Sequence, residues 1–225
     1  LWLALQHSRN VISARIVQAV GPARIVELAA RLGIDGLAPS LSLALGTAEV
    51  SPLQMASTFS VFPNDGVMRR PTAILTVSDP AGQILEDNRR LARQVVMTEW
   101  VARAMTWMMC RVVDFGTATQ AALADRPVAG KTGTTDSYRD AWFVGFTPEF
   151  TTAVWIGNDD FSRMWSAFGG DLPARIFRRT MTAASVAKPP RQFPALTRQP
   201  SVKVSLCSKS HMRPTPYCPK KISIL

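Results

Sequence analysis

The stretch that decides the fold is Val128-Ala129-Gly130-Lys131-Thr132-Gly133-Thr134-Thr135, with Ala141-Trp142-Phe143-Val144-Gly145-Phe146 and Thr152-Ala153-Val154-Trp155-Ile156 after it. The second and third runs are rich in aromatic and β-branched residues, and Thr147-Pro148-Glu149-Phe150 is a turn signal between them. This predicts three neighbouring antiparallel strands, Val128 to Thr135, Ala141 to Phe146 and Thr152 to Ile156. On an extended strand Thr132 and Thr134 share a face, so their two hydroxyls suit one carboxylate while Lys131 supplies positive potential. Gly133 between them lets a ligand backbone lie close, as in a peptide added to a sheet edge. The plainer reading is a lysine beside a Thr/Gly turn. Chance gives only about 0.03 Lys-Thr-Gly triplets in a chain of this composition. Of the 14 basic residues before position 161, thirteen are Arg and Lys131 alone is Lys. A compact, point-like ammonium fits that choice.

Working outward, Ser8 to Val20 has apolar residues at Val11, Ile12, Ile16, Val17 and Val20, a helical spacing ended by Gly21. Pro22 to Leu32 reads as a second helix stopped by Gly33. Ser51-Pro52 reads as N-cap and first-turn proline of a third, with Met55, Phe59 and Phe62 inward. Ala73 to Val77 and Gln83 to Leu85 flank a Ser-Asp-Pro-Ala-Gly turn and predict a hairpin. Thr98 to Val113 is a capped amphipathic helix and Ala174 to Val186 a last one, stopped by Pro189-Pro190. The fold class is therefore α+β, of the α/β sandwich type: an antiparallel sheet flanked by helices. Residues 1–187 form this domain. Residues 188–225, with seven prolines and eight Lys+Arg, are expected to be an irregular, peripheral basic tail.

The chain has 225 residues and a formal charge of +10, which taken alone suggests a binder of anionic polymer. Residues 1–160 hold 14 basic and 15 acidic side chains, however, and residues 161–225 hold 12 and one. An anionic-polymer binder would spread its charge, with interleaved aromatics, across the chain; the first 160 residues lack this, so no nucleic-acid partner is expected. No apolar run reaches the ~18 residues of a membrane span. Two distant histidines and three cysteines without a CxxC pair leave no zinc set, and no metal or cofactor is expected.

Ser8-Arg9-Asn10 opens the first helix, and its hydroxyl and amide, two residues apart, can face one cleft, the first relaying a proton and the second orienting a carbonyl. Either residue is equally suited to capping the helix.

Ser8-Arg9-Asn10 and Lys131-Thr132-Gly133, in this order, resemble two of the three motifs of the penicillin-recognising serine enzymes, Ser-x-x-Lys, Ser-x-Asn and Lys-Thr-Gly. Leu45-Gly46-Thr47-Ala48-Glu49-Val50-Ser51-Pro52-Leu53-Gln54-Met55-Ala56, Asp140 to Pro148 and Val154-Trp155-Ile156-Gly157 are similar to the transpeptidase domain of class A, bifunctional penicillin-binding proteins, and Tyr217-Cys218-Pro219 resembles that family's ending. The resemblance implies a serine β-lactamase/transpeptidase-like fold and a D,D-transpeptidase that cross-links peptidoglycan stem peptides ending in D-Ala-D-Ala, acting through a serine acyl-enzyme and also acylated by β-lactams. Catalytic roles would fall to Ser8 as proton shuttle, Asn10 as holder of the substrate amide and Lys131 as electrostatic support. Substrate binding would fall to Thr132, Gly133, Thr134 and Thr135, with the Thr134 N–H in the oxyanion hole.

The family's order puts Ser-x-x-Lys before Ser-x-Asn, and only seven residues precede Ser8. The one Ser-x-x-Lys present, Ser185-Val186-Ala187-Lys188, follows the Lys-Thr-Gly strand and matches a chance expectation of about 0.45. With Leu1 at the start in place of Met, the expectation is an N-terminally truncated domain whose nucleophile, membrane anchor and any glycosyltransferase domain lie outside this chain, with apolar surface left exposed. The alternative is a non-catalytic domain of this fold that binds peptides or partners, and a Ser-x-x-Lys upstream of Ser8 separates the two. The implied location is the periplasm or the extracytoplasmic face of a bacterial inner membrane. There the basic tail would meet anionic lipid or cell-wall polymer, and Cys207 and Cys218, ten residues apart, would form a disulfide or stay as two thiols. Cys110 is expected to be a core thiol, and Trp142, Phe143 and Trp155 core or cleft wall.

Overall fold

The computed structural model describes residues 1–89 and 93–197 and, of the remainder, the backbone of 204–207 and 221–224. In chain order the elements are α1 (Trp2–Gln6), α2 (Asn10–Val20), α3 (Pro22–Arg31), α4 (Pro52–Phe59), β1 (Val67–Met68), β2 (Thr76–Ser78), β3 (Ile84–Asp87), β4 (Gln94–Val95), α5 (Glu99–Phe115), β5 (Ala129–Thr134), β6 (Asp140–Phe146), β7 (Thr151–Gly157), α6 (Leu172–Ser185), β8 (Val204–Cys207) and β9 (Lys221–Ile224).

Helix ends follow local chemistry. Ser51 and Gln54 form a capping box at α4: Gln54 N–H donates to Ser51 Oγ at 3.2 Å and Ser51 N–H donates to Gln54 Oε1 at 2.8 Å. Thr98 caps α5, its Oγ1 accepting from Val101 N–H. The expected hairpin forms between β2 and β3, shifted a few residues along and entirely exposed.

The central sheet has the order β5-β6-β7, antiparallel throughout, with Lys131 opposite Val144 and Gly133 opposite Trp142. Its alternating side chains feed two cores. On one face Val128 and Phe143 pack with Val112 and Val113 of α5 and Phe177 and Met181 of α6; the Phe143 and Phe177 rings meet edge to face at 4.8 Å. On the other face Ala129 and Phe146 meet Met109 of α5, with Phe59, Phe62 and Phe193 packed around them. Burying Phe143, Phe146 and Phe177 together stabilises the sandwich by roughly 2–3 kcal/mol per ring relative to leaving them in water. β5 is an edge strand, so part of its backbone stays open to a ligand.

Two expectations change. The residues after 187 are not simply irregular and peripheral: the Phe193 ring packs edge to face on Phe146 at 5.5 Å, Trp100 Nε1 donates to Thr197 O, and β8 pairs with β9. Buried Arg126 fixes the start of this run, donating to Lys188 O at 3.0 Å and Ser185 O at 3.5 Å while pairing with Asp125 and Glu149. An aromatic anchor and a multivalent guanidinium hold the segment where composition alone suggested freedom. The helix expected over Ser8 to Val20 is α2, preceded by the short α1; it starts at Asn10 rather than Ser8, and of its apolar residues Val17 is buried while Val11, Ile16 and Val20 are 66%, 41% and 43% exposed. Cys218 and the side chain of Cys207 lie outside the described residues.

Candidate active site

The site is built from opposite ends of the chain. α1 is held against α5 by buried Gln6, whose Nε2 donates to Phe115 O at 3.0 Å, and by the Trp2 ring meeting Trp107 edge to face at 6.2 Å. Gly116 permits the approach, because a Cβ there would strike the Gln6 carbonyl. The chain leaves α1 through Ser8, whose φ of 51° lies in the left-handed region that a serine rarely adopts. That turn aims the hydroxyl at the sheet. Lys131, on β5, donates from Nζ to Ser8 Oγ at 2.8 Å and to Thr132 O at 2.9 Å.

This contact leaves the Ser8 hydroxyl outside helix capping. Arg9 is the N-cap residue of α2 and no side chain caps that helix. The hydroxyl of Ser8 is engaged by Lys131, and Asn10 opens α2 with its side chain exposed. Burial without a carboxylate partner lowers the Lys131 ammonium from 10.5 to about 8. It is still mostly charged at neutral pH.

Thr132 and Thr134 lie on the same face of β5, and each hydroxyl has a partner from elsewhere. Thr132 Oγ1 lies 2.8 Å from Thr117 Oγ1, in the segment that follows α5. Thr134 Oγ1 accepts the Gly169 N–H at 3.1 Å from the loop before α6. Gly169 is buried, and a Cβ on it would run into the carbonyls of Trp142 and Gly133. Gly133 lies opposite Trp142, where a Cβ would come within 3.2 Å of the Trp142 side chain. Thr135 is drawn into the β5–β6 turn: Asp140 N–H donates to its Oγ1 at 2.8 Å, and that hydroxyl in turn donates to Asp140 Oδ2 at 3.2 Å.

The structure thus brings Ser8, Lys131 and Thr132 into one network, sets Thr134 on the Thr132 face, and turns Thr135 toward Asp140. Thr117 and Gly169 were not singled out from the sequence. Their only trace there is a Gly-Thr pair after a helix and a Gly-Gly pair before one, and neither means anything until tertiary packing joins them to β5. Phe143 is fully buried; Trp142 and Trp155 form a tilted pair at 6.3 Å, with Trp155 Nε1 donating to Asp140 Oδ1. The Ser185 to Lys188 match is the closing turn of α6, where Lys188 N–H donates to Ser185 O. A cavity of about 660 Å³ lies beside that turn, between Asp125, Arg126 and Pro190, and none of the candidate site residues lines it.

Residues 1–182 match the family model described as the penicillin binding protein transpeptidase domain. The chain belongs to this family. Among curated relatives, penicillin-binding protein 1A of Aquifex aeolicus is 43% identical over 159 residues, 71% of this chain and 22% of the relative. Penicillin-binding protein 1A of Neisseria lactamica is 36% identical over 194 residues, 83% of this chain and 24% of the relative. This transpeptidase-family chain therefore spans less than a quarter of the length of these relatives. The crystal structure of penicillin-binding protein 1A from Haemophilus influenzae superposes on all of it with a TM-score of 0.76 at 25% identity, covering 39% of that chain. The PonA1 protein of Mycobacterium tuberculosis, solved in complex with penicillin V, superposes on 88% of it with a TM-score of 0.79 at 25% identity, covering 59% of that chain. The α+β class, with an antiparallel sheet between helices, is that of these transpeptidases.

Proposed function

We propose that this chain is the part of a serine D,D-transpeptidase that receives the terminal carboxylate of a peptidoglycan stem peptide and protonates its leaving group, on the extracytoplasmic side of a bacterial membrane. The observation that carries this reading is the Lys131 Nζ to Ser8 Oγ hydrogen bond of 2.8 Å, closed between residues 123 positions apart. Because Lys131 is the donor, the hydrogen of Ser8 is free to be given away. In the proposed reaction a serine of a Ser-x-x-Lys motif outside this chain attacks the carbonyl of the penultimate D-Ala, its proton passing to the lysine of that motif and on to Ser8 as Ser8 gives up its own. The C–N bond to the terminal D-Ala breaks, and Ser8 delivers the proton that the departing amine needs. An acceptor amine then takes the acyl group. Thr132 and Thr134 hold the terminal carboxylate, Asn10 orients the substrate amide, and the Thr134 N–H contributes to the oxyanion hole. The positive charge of Lys131 lowers the cost of bringing a carboxylate and a developing oxyanion into the site. A β-lactam acylates the same serine as a mimic of the acyl-D-Ala-D-Ala unit.

Labelling with a fluorescent penicillin, followed by denaturing electrophoresis, tests this. A chain extended upstream through a Ser-x-x-Lys takes up label, and the 225-residue chain does not. An extended chain that carries the motif, binds D-Ala-D-Ala peptides and never labels would instead be a non-catalytic binding domain. Label on the 225-residue chain that disappears in Ser185→Ala would move the nucleophile to Ser185. The excess positive charge after residue 160 fits contact with anionic lipid or wall polymer. Vesicle binding by the tail that is insensitive to salt would argue against that contact.

A further inference from the structure

Thr132 and Thr134 can serve a carboxylate only as hydrogen donors, since an ionised carboxylate accepts and never donates. A hydroxyl has one hydrogen and two acceptor sites, so whatever else it touches decides whether that hydrogen is free. At Thr134 the matter is fixed by the backbone: Gly169 N–H is a donor only, so the 3.1 Å bond uses a lone pair of Thr134 and leaves its hydrogen available. At Thr132 the partner is another hydroxyl, Thr117 Oγ1 at 2.8 Å, and the bond can run either way. A bound carboxylate breaks that symmetry. The chain of hydrogens then runs from Thr117 to Thr132 to the carboxylate, while a second runs from the Gly169 amide through Thr134.

We infer that Thr117 and the Gly169 amide are positioning groups that set the Thr132 and Thr134 hydroxyls as donors toward a ligand carboxylate. The inference rests on the proposal that β5 binds a stem-peptide carboxylate and adds what makes that strand selective for it. Each positioning donor polarises the hydroxyl it feeds, so the pair discriminates an acceptor-only carboxylate from a carboxamide, which has its own N–H hydrogens to place. The arrangement is built tightly. Gly169 accepts no side chain, because a Cβ would collide with Gly133 and Trp142, and a Cβ on Gly170 would meet the Thr117 carbonyl. The two glycines and Thr117 therefore pack against one another as well as against β5. Thr117 is exposed and makes no other side-chain hydrogen bond among the described residues, so its hydroxyl contributes little to the fold itself.

The test measures, by calorimetry on the 225-residue chain, binding of a diacetylated tripeptide ending in D-Ala-D-Ala and of the same peptide as its C-terminal amide. In the wild-type chain the carboxylate binds more tightly. Thr117→Val, which keeps the shape and removes the hydroxyl, weakens the carboxylate peptide roughly fivefold and leaves the amide unchanged, as expected for one lost hydrogen bond. Thr117→Ser restores the wild-type ratio. A Thr117→Val chain that keeps the full preference overturns the inference, and so does one that loses both peptides equally, since that is damage to the fold. A wild-type chain that binds the two peptides alike overturns the underlying carboxylate reading instead, and the inference falls with it.

Discussion

Replacing Lys131 by methionine tests the electrostatic core of the site, because the side chain keeps its length while the charge goes. Burial lowers Lys131 from 10.5 to about 8, so carrying the charged form in the folded chain costs about 3 kcal/mol at neutral pH. A folded-state value below the unfolded one means that, between about pH 8 and 10.5, the unfolded chain holds more protons. Stability therefore rises with pH across that window, and the whole penalty is present below it. Methionine removes the penalty together with the hydrogen bonds to Ser8 Oγ and Thr132 O, worth about 1 kcal/mol each. The expected result is a variant more stable than wild type by about 1 kcal/mol near pH 7. That gain reverses by about pH 10, a swing of about 2 to 3 kcal/mol in the difference between the two proteins. Urea unfolding of both chains at several pH values measures this, and other titrating groups cancel in the comparison. Parallel pH profiles for the two proteins would show that the ammonium is solvated and would remove burial as the cause of its shift.

Substitutions at three further positions and one reagent probe separate parts of the structure. Phe177→Ala empties the fully buried partner of Phe143 and is expected to cost about 3–5 kcal/mol in chemical unfolding; a loss below about 1 kcal/mol would mean that the α6 layer is not packed as described. Ser51→Ala removes the side-chain acceptor of the α4 capping box while keeping the backbone N–H that donates to Gln54 Oε1, and is expected to cost about 1 kcal/mol, with Ser51→Gly closer to wild type. At position 8 glycine is expected to be more stable than alanine by about 1 kcal/mol, because the left-handed backbone at φ 51° strains any residue with a Cβ; equal stabilities would contradict that backbone. Burial pushes the Cys110 thiol up to about 12, so in the native chain it should resist iodoacetamide at about pH 8 and react once urea unfolds the protein, as peptide mass mapping would show.

The sheet was legible because its strands state their own pattern: aromatic and β-branched runs in Trp142 to Phe146 and Thr152 to Ile156, with Thr147-Pro148 between them. Helix starts were legible where a cap is local chemistry, as at Ser51 and Thr98. Lys131 and Ser8 were legible as motifs, but their 2.8 Å meeting was not, since spacing in sequence carries no information across 123 residues. Thr117 and Gly169 stayed hidden for a related reason. A threonine after a helix and a glycine before one are ordinary loop residues, and their role comes from what stands opposite. Phe193 was overlooked because a single aromatic among prolines and basic residues leaves no periodic trace, although one ring in the right gap is enough to dock a segment on Phe146.

The bond between Ser8 and Lys131 also sets an order in time. During synthesis the chain grows by about 5–20 residues per second, so on the order of ten seconds pass between the appearance of the hydroxyl and that of the amine which grips it. Throughout that interval the Ser8 hydroxyl lacks the Lys131 ammonium that holds it in the folded chain. Closing so long a loop adds little entropic penalty over closing a shorter one, because that penalty grows only with the logarithm of length. A contact split between Ser8 and Lys131 thus waits for β5, at almost no expense to the finished protein.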